Sequence, residues 1–100
     1  MSRRIIAEFK VKPDKMASFK EFMASALGDT RAFSGFIKLE ILEDRSESIL
    51  FAISEWESHE AYDAYVAWRL ENGAADLLEE YLIGGMEEGF KPRKVFETGL

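Results

Sequence analysis

The sequence predicts a single α+β domain of the ferredoxin-like type, with the element order β-α-β-β-α-β and a four-stranded antiparallel sheet. Alternating strand patterns occur near both ends and in the middle of the chain, and two long helical patterns separate them. The length of 100 residues is that of one ordinary domain, and no repeat or linker interrupts it. We therefore assign residues 1–100 to one domain.

The first strand and the first helix are marked by residue spacing. Side chains alternate over residues 3–11, which is a strand pattern. Pro13 and Asp14 then suit the first turn of a helix, because proline has a fixed φ and aspartate faces the positive end of the helix dipole. Apolar side chains recur at helical spacing over residues 16–27, and we expect the helix to stop at Gly28-Asp29.

A strand hairpin is predicted in the middle of the chain. Residues 36–42 follow a turn at Ser34-Gly35 and form the second strand, and residues 48–55 form the third. The polar segment over residues 43–47 has a length that suits a hairpin connection. Both faces of the third strand are largely apolar, which indicates that both faces are covered.

The second long helix is predicted over residues 59–72. Ser58 is a good N-cap, Glu60 lies in the first turn, and Asn72-Gly73 is a favoured pair at a helix end. A second, short helical segment follows over residues 74–82.

The chain is predicted to end with a loop over residues 86–90 and a last strand within residues 91–98. Helices on one face of the sheet leave the other face bare, and an apolar bare face on a short chain predicts self-association. We therefore expect a homodimer in the form of a dimeric α/β barrel. The alternative is a monomer whose outer face is more polar.

The composition excludes several classes of function. Cysteine is absent, which excludes disulfides, thiolate metal sites and a cysteine nucleophile, and the single histidine, His59, cannot build a histidine-rich metal centre. A formal charge of −6 argues against a nucleic-acid partner. The N-terminal segment lacks a signal-peptide pattern and no apolar run has membrane-spanning length, so we expect a cytoplasmic protein with no membrane partner.

Three short motifs resemble a known family. They read E-W-x-S-x-E-A-Y over residues 55–62, F-K-V-K-P over residues 9–13 and S-G-F over residues 34–36. With the order of elements, they resemble the antibiotic biosynthesis monooxygenase family of dimeric α/β barrels over nearly the whole chain. The resemblance implies that fold and a range of activities that includes cofactor-free oxygenation of quinols or polyketide anthrones.

The haem-degrading branch of that family is not matched by this sequence. That branch uses an asparagine on the first strand and a histidine late in the second long helical region. Here Ala7 and Glu8 occupy the relevant part of the strand, the only asparagine is Asn72, and no histidine follows His59. We therefore expect no haem. We also expect no other cofactor and no metal; a carboxylate-only site for a hard cation is the alternative.

One face of the second long helix holds an unexpected charge. At about 100° per residue, its apolar arc collects Ala61, Tyr62, Tyr65, Val66, Trp68 and Arg69. Arg69 falls near the middle of this arc, where a guanidinium must find a carboxylate, an anionic ligand or a route to water.

Our preferred interpretation is a pocket between this helix and the sheet, which binds a small aromatic molecule together with O2. In it, the arginine holds a phenolate or the enolate-like charge that develops on deprotonation, and aromatic walls hold the ring. Tryptophan, tyrosine and arginine side chains are also the types that the resemblance to polyketide-type members implies. The predicted catalytic residues are Arg69, Tyr65 and Tyr62, and the predicted substrate-binding residues are Trp68, Trp56 and His59.

Each residue also has a simpler structural interpretation. Aromatic residues at helical spacing are typical of a core, and Arg69 has Glu8, Glu40 or Glu55 as alternative ion-pair partners. Trp56, at a strand end, favours packing. As the only histidine, His59 is an acid–base candidate, but its place in the first helical turn favours a solvated surface.

The sequence thus favours a cofactor-independent monooxygenase that acts on a small aromatic quinol, phenol or anthrone, whose electron-rich carbanion reacts with O2 directly. A non-catalytic binding protein or structural dimer with the same fold is the alternative. A third hypothesis is an isomerase or decarboxylase-like protein of the wider dimeric-barrel group that uses His59 or a carboxylate as its base.

Overall fold

A computed structural model describes residues 3–100 of the chain; Met1 and Ser2, which belong to the predicted domain and N-terminal segment, lie outside the described residues. The elements in order are β1 (Arg3–Lys10), a 3-10 turn (Pro13–Lys15), α1 (Met16–Ala32), β2 (Phe36–Asp44), β3 (Ile49–Trp56), α2 (His59–Glu71), α3 (Ala74–Tyr81), α4 (Gly85–Gly89) and β4 (Phe90–Val95). The predicted order of strands and long helices is confirmed. None of the helices over residues 3–100 has the length and apolar character that a membrane span requires.

The sheet has the strand order β2-β3-β1-β4, and every neighbouring pair is antiparallel. Ala7 of β1 lies opposite Ala52 of β3 on one side and Pro92 of β4 on the other. Successive side chains of a strand point to opposite faces, so Ile5 and Ala7 face the helices while Ile6, between them, faces away. This ferredoxin-like sheet therefore has one covered face and one face without helices.

Helix α1 extends beyond its predicted stop at Gly28-Asp29 and ends at Ala32. Thr30, in the last turn, is only 4% exposed, and its hydroxyl shares a hydrogen bond of 2.8 Å with that of Tyr65 on α2. This tertiary contact stabilises a turn for which the local sequence has little preference. The predicted helix end is therefore wrong by one turn.

The predicted loop over residues 86–90 is also wrong, because most of it forms α4. Gly89 permits this turn, since a Cβ atom there would lie 2.6 Å from Cβ of Leu82. Strand β4 then begins at Phe90, opposite Phe9, and its last pair joins Val95 to Arg4 of β1. The last strand therefore begins one residue before the predicted range of 91–98 and ends within it.

Two apolar clusters fill the space between the helices and the sheet. One is built on Val11, Phe19, Leu50 and Leu82, and the other on Ile5, Trp56 and Tyr62. Trp56 is 1% exposed and its indole N–H donates to Ser54 Oγ at 2.9 Å, so it packs within the second cluster. Burial of a large apolar side chain contributes about 1.5–3 kcal/mol, and these clusters hold the helices in place over the sheet.

Candidate functional site

A cavity of about 130 Å³ lies between the helices and the covered face of the sheet. Ala7, Ala52 and Ser54 form part of its floor, and two of these small side chains lie opposite each other on paired strands. Small residues at adjoining positions leave a gap that the surrounding side chains do not fill. The walls are mainly apolar or aromatic and include Phe19, Phe22, Met23, Tyr62, Tyr65 and Val66.

Arg69 is the only charged residue among the described residues that line this cavity. Its Nε–H donates to Tyr65 Oη at 2.9 Å, one helical turn earlier on α2. Its Nη2 donates to the carbonyl oxygen of Ala26 at 2.8 Å and to Thr30 Oγ1 at 3.0 Å, both on α1. Arg69, Tyr65 and Thr30 therefore form one hydrogen-bonded group, called here the Arg69 cluster, that joins the two long helices.

The alternative in which Arg69 pairs with a glutamate is wrong for the described residues. Glu8 accepts a hydrogen bond from Arg93 Nη1 at 2.8 Å. Glu55 and Glu40 also point away from the helices, because their register places them on the uncovered face of the sheet. The sheet thus separates these carboxylates from the guanidinium, and the hydrogen-bond partners of Arg69 are all neutral.

Aromatic rings provide the remaining contacts of the guanidinium. Its Cζ atom lies 4.9 Å from the ring centroid of Trp68 and 5.2 Å from that of Tyr65. Cation–π contacts of this kind contribute about 0.5–2 kcal/mol. They attract the cation without neutralising its charge, so a positive charge remains at the cavity wall.

Tyr62 lines both the cavity and the groove next to it. It is 7% exposed, and burial raises the pKa of its phenol well above the ordinary value, with smaller contributions from Tyr65 and Asp63. Tyr62 and Val66 also line a shallow surface groove next to an ion pair of 2.8 Å between Asp63 and Lys94. At neutral pH the Tyr62 phenol is therefore protonated and can donate, but not accept, a proton.

His59 does not lie on a solvated surface, and that prediction is wrong. It is 9% exposed and packs edge-on against Phe96, with ring centroids 4.9 Å apart. Its Nε2 is the only buried side-chain nitrogen or oxygen without a hydrogen-bond partner among the described residues. The segment after β4 covers the histidine, which the local sequence around residue 59 does not reveal.

The structure brings most of the predicted site residues together. Four of the six line the cavity: Arg69, Tyr65, Tyr62 and Trp56. Trp68 is not part of the lining but contacts the guanidinium, and His59 lies outside the cavity. Among residues 3–100, no group of three or more His, Asp or Glu side chains is placed to hold a metal ion.

Thr30 is a site residue that the sequence interpretation missed. It lies four residues after Ala26 and seven after Met23, so it continues the buried stripe of α1. This spacing was a usable signal. Thr30 was missed because the predicted helix ended at Gly28 and so did not include the turn that contains Thr30.

The fold and the cavity define a ferredoxin-like α+β domain with an apolar cavity that carries a single arginine. Residues 2–69 match the family described as antibiotic biosynthesis monooxygenase, and the chain belongs to that family. The resemblance in the motifs is thereby confirmed. The chain has no significant match among curated proteins.

Solved structures show the same fold. A conserved protein from Methanosarcina mazei Go1 has a TM-score of 0.79 at 20% identity, with 98% of this chain and 94% of that chain covered. A structure described as an antibiotic biosynthesis monooxygenase has a TM-score of 0.78 at 15% identity, with 98% and 99% covered. SnoaB, a cofactor-independent oxygenase from Streptomyces nogalater, has a TM-score of 0.67 at 16% identity, with 99% and 95% covered.

Proposed function

We propose that this protein is a cofactor-independent monooxygenase that acts on a small aromatic quinol, phenol or anthrone with O2 as co-substrate. The observation that carries the proposal is the guanidinium of Arg69 at the wall of an aromatic cavity whose described lining contains no carboxylate. A phenolate or enolate oxygen supplies the missing negative charge, and donors positioned where charge develops stabilise it. The shared fold with a cofactor-independent oxygenase supports the reaction class.

The proposed reaction begins with release of a proton from the substrate to water, which gives an electron-rich anion held by Arg69. One electron passes from this anion to O2, and the resulting substrate radical and superoxide combine to form a carbon–oxygen bond. Protonation gives a hydroperoxide. Loss of water then breaks the O–O bond and leaves a carbonyl, so one oxygen atom enters the product and the substrate supplies all the electrons that O2 accepts.

The side chains of the cavity have distinct proposed roles. Arg69 binds the substrate oxygen, and Tyr65 orients the guanidinium through its hydroxyl. Tyr62 and Trp56 form walls that exclude water, and Trp68 supports the guanidinium from outside the lining. Exclusion of water strengthens the attraction between the arginine and the anion.

We also propose that the uncovered sheet face binds a second copy of the chain. Ile6 lies opposite Ile53, and Leu42 opposite Phe51, which forms an apolar centre on this face; Leu42 is 46% exposed. Charged side chains of both signs surround this centre. In a two-fold symmetric dimer, a positive side chain of one copy can then contact a negative side chain of the other, and the same contact occurs twice. Sedimentation measurements test this: we expect a dimer for the natural sequence and a monomer for Phe51→Arg, and a monomeric natural protein contradicts it.

Oxygen uptake by the purified protein tests the catalytic proposal. Hydroquinones and anthrones are supplied without cofactor and with a metal chelator present. We expect uptake above the rate of autoxidation, lost in Arg69→Met and retained in the control Arg45→Met, which removes an arginine that is 88% exposed. Equal uptake by the two variants contradicts the role of Arg69, and aromatic binding without any uptake favours the non-catalytic alternative.

A further inference from the structure

The Arg69 cluster contains more hydrogen-bond donors than acceptors. Arg69 uses its Nε–H and both Nη2 hydrogens, and neither Nη1 hydrogen has a partner among residues 3–100. Nη1 does not belong to the buried atoms that lack a hydrogen-bond partner, so part of its surface is accessible. The hydroxyls of Tyr65 and Thr30 each accept a hydrogen bond from the arginine, and one of them donates to the other. One of the two hydroxyl hydrogens therefore remains free to donate to a ligand. The ligand atom that fits this cluster is therefore an acceptor.

Among the described residues, the cavity lining offers no carboxylate or imidazole that could take a proton from a ligand. The lining residues from α1, α3, α4 and the sheet are all uncharged, and the lining residues of α2 with an ionisable side chain are Tyr62, Tyr65 and Arg69. Burial holds the Tyr62 phenol in its protonated form by raising its pKa. A guanidinium stays protonated in proteins and is no base. General-base catalysis requires a group within hydrogen-bond reach of the proton.

The size of the cavity limits the ligand. Its volume of about 130 Å³ is close to that of an apolar cavity of about 150 Å³ that binds benzene. The small side chains of the paired alanines Ala7 and Ala52 determine how deep the cavity is on the side of the sheet, and Phe19 and Tyr62 form part of its walls. One six-membered ring fills this space, whereas three fused rings exceed it.

We infer that the ligand is a single-ring hydroxyaromatic compound that binds as its anion, with the ionised oxygen on the Arg69 cluster and its proton released to water. The oxidation of this ligand rests on the proposed function, but its binding does not. An opposite charge within about 4–6 Å lowers an acid's pKa by one unit or more. The site therefore favours the anion over the neutral phenol by about tenfold or more.

A coloured phenol tests this inference on the full chain. 4-Nitrophenol ionises near neutrality, and its anion absorbs visible light, so its titration is followed with and without an excess of protein. We expect the bound phenol to ionise about one pH unit lower than the free phenol. The shift disappears in Arg69→Met and persists in Arg45→Met. 4-Nitroanisole, which cannot ionise, binds at least tenfold more weakly, and a three-ring anthrone does not compete.

The outcomes separate this inference from the proposed function. Equal binding of 4-nitroanisole and the nitrophenolate, or displacement by the anthrone, would overturn the inference. Anion binding without oxygen uptake from any hydroquinone or anthrone retains the site and contradicts the oxygenase. Oxygen uptake from anthrones but not from single-ring compounds retains the oxygenase and overturns the inferred ligand.

Discussion

Arg69 Nε donates to the hydroxyl of Tyr65 at 2.9 Å, one helical turn earlier on α2. A guanidinium in an apolar wall is usually oriented by a carboxylate. Here a phenol hydroxyl does so, which fixes the direction of the arginine while leaving its charge available. The same hydroxyl also contacts Thr30 at 2.8 Å, so the orientation depends on the packing of α1 against α2.

Tyr65→Phe removes this acceptor and keeps the ring. We expect a loss of about 1–2 kcal/mol in the free energy of unfolding, since the arginine loses one hydrogen-bond partner. Oxygen uptake falls by about tenfold or more, because a mobile guanidinium no longer meets the developing charge. Tyr81→Phe, in the cluster around Phe19, is the control that leaves uptake unchanged. Normal uptake by Tyr65→Phe contradicts the positioning role.

Thr30→Val tests the link between α1 and α2. Thr30 is 4% exposed, and its hydroxyl accepts from Arg69 Nη2 at 3.0 Å. Valine has nearly the same shape but cannot accept, so we expect a loss of about 1–3 kcal/mol in urea unfolding and weaker binding of the nitrophenolate. Thr30→Ser keeps the hydroxyl and retains that binding. Matching phenolate affinities for the two variants count against the cluster.

Tyr62 predicts how stability depends on alkaline pH. Burial raises its pKa in the folded protein above the value of about 10 in an unfolded chain. Its contribution to the free energy of unfolding is therefore fully present below about pH 10 and is lost as pH rises further, because only the unfolded chain ionises readily. Tyr62→Phe has no such ionisation, so its unfolding free energy falls less steeply above about pH 10. If the unfolding free energies of the natural protein and Tyr62→Phe fall equally steeply above about pH 10, this prediction is wrong.

Gly35 allows the turn before β2 to approach α2. Its φ is +89°, and a Cβ atom there would lie 2.6 Å from Cβ of Ala61. Gly35→Ala therefore combines backbone strain with a clash, and we expect a loss of about 2–4 kcal/mol. Gly73→Ala has a similar φ of +91° but nothing within 4 Å, so it reports the strain alone, about 1 kcal/mol. Thermal unfolding of both variants measures the difference, and equal losses exclude the clash.

His59→Phe distinguishes the oxygenase from an enzyme that uses histidine as a base. The substitution removes the unpartnered Nε2 and keeps the ring contact with Phe96, so we expect unchanged or slightly higher stability. Oxygen uptake stays the same, because His59 is outside the cavity. His59→Ala leaves a void, so we expect it to lower the free energy of unfolding by about 1–3 kcal/mol. It serves as the destabilised control. Loss of oxygen uptake in a stable His59→Phe protein would show that His59 takes part in the reaction.

The element order and most of the strand and helix positions were predictable from the sequence, because they depend on local periodicity. Alternation marks β1 and the hairpin of β2 and β3, and Ser58, whose Oγ accepts from the Ala61 N–H, marks the start of α2. The same periodicity placed Tyr62, Tyr65 and Arg69 on one helix face. Residues that share a face of one helix meet through their spacing alone.

Contacts between elements required the tertiary structure. Spacing could not exclude a glutamate partner for Arg69, because the face on which Glu8 lies becomes known only when the sheet is paired. Nor could it place Thr30 against Tyr65, since that hydrogen bond stabilises the very helical turn that the local sequence disfavours. Local spacing thus determined which side chains share a face of α2. Packing of α1 and the sheet around that face decided that they surround a cavity, because burial and hydrogen-bond pairing depend on residues distant in the chain.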